Sequence, residues 1–486
     1  TSWQSAMPSL AIISGVLKSG TDAEKAELGG QLVGAGIDPT NLADPAEQLK
    51  LVGKSFTLNG DPLDADRLIT KYSPLPQVKV VEEVPFLLIT PKTANAGAKV
   101  PVVIYQHGIT SLKENILASG NALINDYAIL AIDLPLHGAR KIPLGDDKFI
   151  VADEDNASVF MNFGYLGVGR DNMRQAVADL IGLRAGITMV GAAQLAASQT
   201  PAVILGNNLD LINTQEVSFF GHSLGAMTGI SLQATIDRPL PDSDGDGTVG
   251  DGDQYFKIDK AAFANPGGSI PYLLLSSEEF GGTVKHGLMY SSSADYQAFS
   301  DGLCELDSNN FETTDKYKGQ TECFNTFYAG AGDAKTTIST TFQSFAVAAQ
   351  TVLETADPFA LARNISAETP VYLAQVKGDL VIPNIVTIGT GEVTDATNAA
   401  PYSPIAGTTP LISQLALDNI ATLNDTTKKA ALLKLGEHSS VIVDYTGHPD
   451  HPTADTDTTT ELQSQISSFL ASDGTTATIV DSNLLD

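Results

Sequence analysis

The pentapeptide Gly-His-Ser-Leu-Gly at positions 221–225 constrains the fold of this chain more than any other feature. A β-type apolar run at 217–220 precedes it, and a helix-like run at 226–233 follows it. A serine at such a sharp strand-to-helix turn needs small residues two positions before and after it, because larger side chains would collide with the neighbouring strand and helix. The pattern predicts a nucleophile elbow that carries Ser223. Chance is the alternative, since 43 residues are glycine, but the flanking strand and helix favour the elbow.

Short apolar runs alternate with helix-like segments along most of the chain. This order is typical of a parallel or mostly parallel sheet covered by helices on both faces. Strand character begins within 76–91, and further strands are predicted at 101–105, 128–132, 217–220, 261–264, 371–376 and 431–435. Helices are predicted at 112–124, 171–187 and 459–470. The predicted fold class is therefore α/β.

At 486 residues the chain is long for one hydrophobic core, so insertions or a second domain are expected. Residues 1–75 show helical periodicity and are predicted to form an N-terminal helical extension. The predicted core comprises 76–269 and 356–486. Residues 270–355 break the alternation and are predicted to form a cap inserted between two core strands. Local packing and a groove for an acyl chain both explain the apolar residues of this cap, because ligand sites are themselves mostly apolar.

A catalytic serine needs a base, and the base needs an acid that orients it. In a sheet with a nucleophile elbow, these residues follow in the order Ser, Asp or Glu, His. Asp379 comes directly after the predicted strand at 371–376 and is the predicted acid. Asp357 is the alternative acid, and an ordinary turn aspartate is the other interpretation of Asp379.

Three histidines follow Asp379 in the chain, namely His438, His448 and His451. His438 stands at the end of the predicted last strand, where a loop can bring its side chain over the elbow. His448 and His451 lie deeper in a loop rich in Pro and Asp, where a solvated surface position is favoured. His438 is therefore the predicted base.

The tetrahedral intermediate of such a reaction needs two backbone N–H donors. One donor is predicted to come from Leu224, the residue after the nucleophile. The other is predicted to come from Ile109, because Gly108 at the end of the strand 101–105 allows a sharp turn toward the site. His107 precedes the serine in the chain and is predicted to be a structural neighbour, not a base.

The acidic segment 242–253 matches the spacing of a calcium loop. A loop of this kind places carboxylates at positions 1, 3 and 5, glycine at 6, a carbonyl at 7 and a carboxylate at 12. The twelfth residue is Asp and not the usual Glu, which leaves bidentate binding open, and a solvated acidic loop is the alternative. The predicted ligands of a structural Ca²⁺ are Asp242, Asp244, Asp246, Thr248 and Asp253.

The two cysteines, Cys304 and Cys323, lie in a polar, acidic stretch. Free cysteines are usually buried, so this context favours a disulfide and an oxidising compartment. Two unrelated reduced cysteines in a cytosolic protein are the alternative.

The formal net charge of −29 argues against nucleic acid and anionic membranes as partners. No run of about 20 apolar residues is present, so no transmembrane span is predicted. The chain begins at Thr1 without a methionine, and we expect a processed or trimmed product. The sequence leaves open whether an export signal or a lipid anchor was removed. We expect a monomer that makes at most transient contact with lipid surfaces.

Several stretches together resemble the bacterial virulence-factor lipase family, which comprises extracellular or surface-anchored lipases and (lyso)phospholipases of Gram-negative bacteria. The matching stretches are 105–110, 131–138, 170–180, the elbow and 356–358. The resemblance covers about residues 75 to 470 and implies an α/β-hydrolase fold, lipid ester substrates and an extracellular or outer-surface location. Its site residues carry over to Ser223, Asp379 and His438. The calcium-type loop is not part of the family pattern, and the lipobox cysteine of anchored members is absent.

These patterns predict a serine carboxylic-ester hydrolase that acts on acyl lipids through an acyl-enzyme. An acyltransferase with the same triad, which passes the acyl group to an alcohol, is the first alternative. A surface binding protein with an inert hydrolase core is the second.

Overall fold

A computed structural model describes residues 3–95, 97–119, 126–154, 156–199, 206, 208–242, 248, 250, 252–304, 315–386, 399–444 and 456–486. The chain divides into two compact units, Thr1–Glu83 and Val84–Asp486. The sequence predicts the boundary between the N-terminal extension and the core after residue 75, because strand-like valines begin at Val78. In the structure, Val78, Val80 and Val81 are exposed and lie outside any strand.

The first unit is a small helical module with its own core. It contains helices α1 (Leu10–Ser19), α2 (Asp22–Gly34) and α3 (Pro45–Leu49) and a short hairpin of β1 (Thr57–Leu58) and β2 (Asp61–Pro62). Thr21 and Glu24 form a capping box at the start of α2, which satisfies backbone N–H groups that have no partner inside the helix. Its buried core is made by Met7, Ile13, Leu28, Leu32, Ile37, Leu51 and Phe56.

The second unit is built on a central sheet. Its strands are β3 (Phe86–Ile89), β4 (Val100–Gln106), β5 (Ala128–Ile132), β6 (Ile142–Gly145), β7 (Lys148–Ile150), β8 (Ile212–His222), β9 (Ala261–Ala264), β10 (Val371–Val376), β11 (Asp418–Asn419) and β12 (Lys428–Leu433). Among the described strands, eight form one sheet in the order β11-β12-β10-β9-β8-β4-β5-β3, and β6 pairs with β7 in a separate hairpin. All neighbours in the large sheet are parallel except β3 and β5. The predicted α/β class is confirmed.

Helices connect the strands of this unit. They are α4 (Ser158–Met161), α5 (Leu166–Gln199), α6 (Leu224–Ile236), α7 (Ile270–Ser276), α8 (Gly281–Ser292), α9 (Ala294–Leu303), α10 (Asp315–Gly330), α11 (Ala334–Leu353), α12 (Pro358–Leu361), α13 (Thr408–Gln414) and α14 (Thr456–Ala471). Short 3₁₀ turns lie at Lys113–Ser119, Gly138–Arg140, Asp253–Tyr255, Ala362–Asn364 and Ser482–Leu484. A helix was predicted at 112–124, and the described part of that stretch forms the 3₁₀ turn Lys113–Ser119.

Helices cover both faces of the sheet. Successive side chains of a strand point to opposite sides, so each strand contributes residues to both buried faces. On one face Tyr105, Phe220 and Tyr372 pack with apolar residues of α14, including Phe469. On the other face Phe219 and Phe263 pack with apolar residues of α5 and α6. Strands covered on both sides appear in the sequence as continuous apolar runs, which is why the sequence located β5, β9 and β10 at the residues the structure gives them.

Most of the described residues between β9 and β10 are helical. Helices α7 to α11 lie here and share a buried cluster that includes Tyr296, Phe324 and Phe342. Cys304, just after α9, and Cys323 in α10 form a disulfide. The predicted disulfide is confirmed.

Helix α5 is long and apolar. Of the residues searched, Leu166–Ser198 is the one stretch whose length and composition would suffice to cross a membrane. The sequence did not predict a span here because polar residues interrupt the apolar ones. In the structure Arg184, in the middle of this helix, is buried and donates hydrogen bonds to the Lys257 carbonyl and the Thr188 hydroxyl. Such contacts are those of a helix packed within a folded unit.

Candidate active site

Ser223 stands on a strained turn between β8 and α6. Its backbone angles are φ 55° and ψ −124°, in a region that costs a non-glycine residue about 1–3 kcal/mol. Steric contacts explain why glycine stands on both sides of this turn. A Cβ at Gly221 would lie 2.5 Å from the Gly225 carbonyl oxygen, and a Cβ at Gly225 would lie 2.1 Å from the Gln106 carbonyl oxygen. The elbow is therefore possible only with glycine at both positions.

His438 and Asp379 form a buried pair. The Nδ1 atom of His438 lies 2.7 Å from Oδ2 of Asp379. The other carboxylate oxygen, Oδ1, accepts hydrogen bonds from the backbone N–H groups of Val381 and Ile382, both at 2.9 Å. These donors hold the carboxylate on the turn after β10, so that it receives Nδ1–H and leaves Nε2 of His438 as the acceptor nitrogen.

The second ring nitrogen of His438 is not engaged by Asp379. Among the described residues, its Nε2 is buried without a hydrogen-bond partner. His438 and Ser223 line the same cavity. The structure thus pairs His438 with Asp379 and places His438 in the lining of one cavity with Ser223. His448 and His451 lie outside the described residues.

Asp357, the alternative acid, has a different position. Its carboxylate accepts hydrogen bonds from the backbone N–H groups of Ser269, Ile270 and Phe359 at 2.8–3.0 Å. Burial raises its pKa, although these hydrogen bonds act in the opposite direction. Asp357 therefore joins the starts of α7 and α12, and the partner of His438 is Asp379.

His222 contacts His438, the predicted base, and sequence reasoning missed this contact. Its Nε2–H donates to the backbone carbonyl of His438 at 2.9 Å, and the two rings lie 5.0 Å apart. Asn265 donates to the same carbonyl at 2.6 Å. Burial lowers the pKa of His222 to about 3, so the ring stays neutral. In the sequence, only its position directly before Ser223 could have indicated this contact.

Two backbone N–H groups are available beside the nucleophile. Within the described part of the chain, neither the Ile109 N–H nor the Leu224 N–H is paired with an acceptor. Both residues line a cavity that also contains Ser223. A Cβ at Gly108 would lie 2.9 Å from the Ser223 Cβ, so glycine is required where this turn passes the serine.

Two buried histidines support that turn. His107 accepts the Leu134 N–H at Nε2 (3.0 Å) and, in the matching tautomer, donates from Nδ1 to the Gly108 carbonyl (2.7 Å). His137 accepts the Thr110 N–H at Nε2, over 3.2 Å. Burial lowers the pKa of His107 to about 3 and also lowers that of His137. Both rings therefore remain neutral and act as hydrogen-bonding supports.

An ion pair holds the turn that carries His137. Asp133 is fully buried and accepts hydrogen bonds from the Lys113 N–H, the Lys113 ammonium and the Ala139 N–H. Burial would raise its pKa, but the hydrogen bonds from Lys113 and Ala139 hold the pKa below its usual value. A Cβ at Gly138 would lie 2.6 Å from this carboxylate. The stretch 131–138 thus shapes the turn that carries Ile109.

Two cavities meet at Ser223. The first is lined almost entirely by apolar side chains from the core and the inserted helices: Ile109, Ala157, Met161, Phe163, Leu224, Met227, Ile270, Leu273, Leu274, Phe280, Val284, Val381 and Ile382. The second is more polar, and its lining includes Thr110, Ser111, Asn115, Glu154, His438 and Ser439. An apolar space beside a nucleophile can hold a hydrocarbon chain.

The predicted calcium loop is described only in part. Asp244 and Asp246 lie outside the described residues. The Oδ1 atom of Asp253 accepts the Leu240 N–H at 2.8 Å, which ties the end of the loop to its beginning. Among the residues searched, no group of three or more His, Cys, Asp or Glu side chains is placed to hold a metal ion. Calcium binding stays a prediction.

Neither a family model nor a curated protein sequence matches the chain. Similar solved structures include acetyl xylan esterase 1 from Thermoanaerobacterium sp., with 14% identity over 73% of this chain and 74% of that chain and a TM-score of 0.29. A soluble variant of monoglyceride lipase from Saccharomyces cerevisiae shows 11% identity over 82% and 97%, with a TM-score of 0.33. An esterase from Rhizomucor miehei shows 12% identity over 82% of each chain, with a TM-score of 0.34.

These identities and TM-scores are low, so the fold is assigned on this chain's own strand order and on the turn that carries Ser223. An antiparallel β3 at one edge, the parallel strands that follow and the elbow after β8 define an α/β-hydrolase fold. The similar structures named above are ester hydrolases. The resemblance to the virulence-factor lipase family stays a prediction, because no family model matches.

Proposed function

We propose that this protein is a serine carboxylic-ester hydrolase that acts on acyl lipids through an acyl-enzyme. The observation that carries the proposal is the hydrogen bonding of the His438 ring. Its Nδ1 is held by Asp379, its Nε2 is buried without a partner among the described residues, and His438 lines the same cavity as Ser223. A ring oriented in this way is suited to accept the proton of the serine hydroxyl.

In the first half of the reaction, the Ser223 oxygen attacks the ester carbonyl carbon while His438 Nε2 takes the hydroxyl proton. The N–H groups of Ile109 and Leu224 bind the oxyanion, and loss of one such donor typically slows an enzyme by about 10²–10³-fold. The alcohol leaves with the proton from His438. Water, activated by the same ring, then hydrolyses the acyl-enzyme.

The apolar cavity supports an acyl lipid as the substrate. Its lining offers hydrocarbon and aromatic side chains directly beside Ser223, which suits a chain of CH₂ groups. The disulfide supports an oxidising location, and we include in the proposal an extracellular or outer-surface location in a Gram-negative bacterium. A structural Ca²⁺ held by the 242–253 loop is a further part of the proposal, and no step of the reaction involves it.

Labelling and turnover together test this function. The purified chain is expected to react with a fluorophosphonate probe and to hydrolyse para-nitrophenyl octanoate, and Ser223→Ala is expected to do neither. Ser439→Ala, which changes a second serine in the lining of the polar cavity, is the matched control and should still be labelled. Full turnover by Ser223→Ala would overturn the proposal.

A further inference from the structure

Phe280 stands between two unlike cavities at the nucleophile. It immediately precedes α8 and belongs to the lining of both cavities, as do Ile109, Ser223 and Val381. An ester bound at Ser223 has two arms, an acyl arm and an alcohol arm, which leave the reacting carbon in different directions. Two cavities that meet at the serine therefore provide one compartment for each arm.

The two compartments differ in polarity. Among the described residues, none that lines the apolar cavity is charged. The polar cavity has hydroxyl and amide groups from Thr110, Ser111, Asn115 and Ser439, together with one carboxylate that faces solvent, that of Glu154. Of the described residues that line this polar cavity, none is lysine or arginine.

We propose that the polar cavity receives the alcohol part of the ester and that Glu154 selects against alcohols with a negative charge. This inference rests on the proposed function and makes it more specific. The preferred substrates are acyl esters of uncharged polar alcohols of the glycerol type. Esters whose alcohol carries a phosphate group are discriminated against.

The physical reason is electrostatic. A phosphodiester in the polar cavity would be brought near the Glu154 carboxylate with no lysine or arginine in the described lining to compensate it. The formal net charge of −29 adds to the repulsion at longer range. Hydroxyl groups of an uncharged alcohol can instead exchange hydrogen bonds with the serine, threonine and asparagine side chains. At low salt, one like charge across a solvated cavity is expected to lower kcat/KM about three- to tenfold.

A substrate series with one constant acyl chain tests the proposal. The substrates are mono-octanoylglycerol, octanoylcholine and octanoyl-lysophosphatidylglycerol, whose alcohol parts are neutral, cationic and anionic. Wild-type kcat/KM at low ionic strength should be at least about threefold lower for the anionic substrate than for the neutral one. Added NaCl should narrow that difference, because salt screens exposed charges.

Glu154→Gln is the decisive variant, and Glu216→Gln is its control. Glu216 lies on β8 seven residues before Ser223, about 23 Å away along an extended strand, and its substitution changes the net charge by the same amount. Glu154→Gln should narrow the ratio of kcat/KM between the neutral and the anionic substrate at least threefold. Glu216→Gln should leave the ratio between the two substrates as in wild type.

Two outcomes would overturn the inference, namely equal kcat/KM for the neutral and anionic substrates, or a difference that Glu154→Gln does not reduce. Failure of the proposed function has another signature, because the protein would then hydrolyse none of the three esters and resist the fluorophosphonate probe. The two failures are thus distinguishable.

Discussion

The Nε2–H of His222 donates a hydrogen bond to the backbone carbonyl of His438. This contact joins the residue before Ser223 to His438, the proposed base. Because Asn265 donates to the same carbonyl, the loop after β12 is held by two side chains of neighbouring strand ends. The position of the His438 ring is therefore set by the elbow itself as well as by Asp379.

Removal of the His222 donor should mainly affect the chemical step. We expect His222→Leu to lower kcat about tenfold, the value of roughly one hydrogen bond, with little change in KM. His222→Gln, which can still donate, should restore much of the rate. Steady-state kinetics and the rate of fluorophosphonate labelling measure this. A parallel rise in KM, or no rescue by glutamine, would contradict a positioning role.

Substitution of the acid should remove activity without unfolding the protein. Asp379→Asn keeps the shape of the side chain but loses the charge and favours the wrong tautomer of His438, so kcat should fall by about 10³–10⁴-fold. Asp357→Asn is the comparison, since that carboxylate binds the starts of two helices. It should lower the melting temperature more than it lowers kcat. The reverse pattern would make Asp357 the catalytic acid.

Acid should destabilise this protein through its buried histidines. Burial lowers the pKa of His107 and of His222 from 6.5 to about 3. The unfolded chain therefore binds protons below pH 6.5 that the folded chain does not bind until about pH 3. The stabilisation is complete above pH 6.5 and is lost as the pH falls toward 3, by up to about 1.4 kcal/mol per pH unit for each histidine.

Urea unfolding at pH 7, 6 and 5 measures this loss. His222→Gln should show a smaller decrease in unfolding free energy over that range than wild type. A decrease of equal size in the variant would show that His222 does not bind its proton differently in the two states.

The disulfide should stabilise the inserted helices. It links residues 19 positions apart, and closure of a loop of that length is worth about 3 kcal/mol in the chain-entropy estimate. Reduction, or the double substitution Cys304→Ser/Cys323→Ser, should lower the melting temperature measured by calorimetry. Reductant should have no further effect on the double variant. An unchanged melting temperature after complete reduction would contradict the expectation.

Calcium should bind the 242–253 loop if its carboxylates adopt the geometry that their spacing predicts. CaCl₂ should raise the melting temperature, and isothermal titration calorimetry should detect one site. Asp244→Asn/Asp246→Asn should abolish both effects, whereas Mg²⁺ should replace Ca²⁺ poorly, because Mg²⁺ prefers a stricter octahedral site. No heat of binding to the wild-type chain would leave the loop a solvated acidic segment.

Local patterns in the sequence were sufficient to locate most strands of the central sheet. Strands β5, β9 and β10 were located residue for residue, because buried strands have continuous apolar composition. The last core strand was predicted at 431–435 but lies at Lys428–Leu433. Two lysines begin it, and the ammonium of Lys429 is satisfied by the Asn424 carbonyl. The two lysines interrupt the apolar pattern at the start of the strand, so the sequence alone placed its beginning too late.

The sequence by itself determined the sheet class, the elbow at Ser223 and the order of the residues that follow it. Each depends on spacing along the chain or on glycines that a sharp turn requires. Only the tertiary structure decided that Asp379, not Asp357, contacts His438, and that His222 and Asn265 hold the loop of the base. It also decided that two unlike cavities share Ser223 in their linings. These features depend on contacts between residues far apart in the chain, and such contacts exist only once the sheet is assembled.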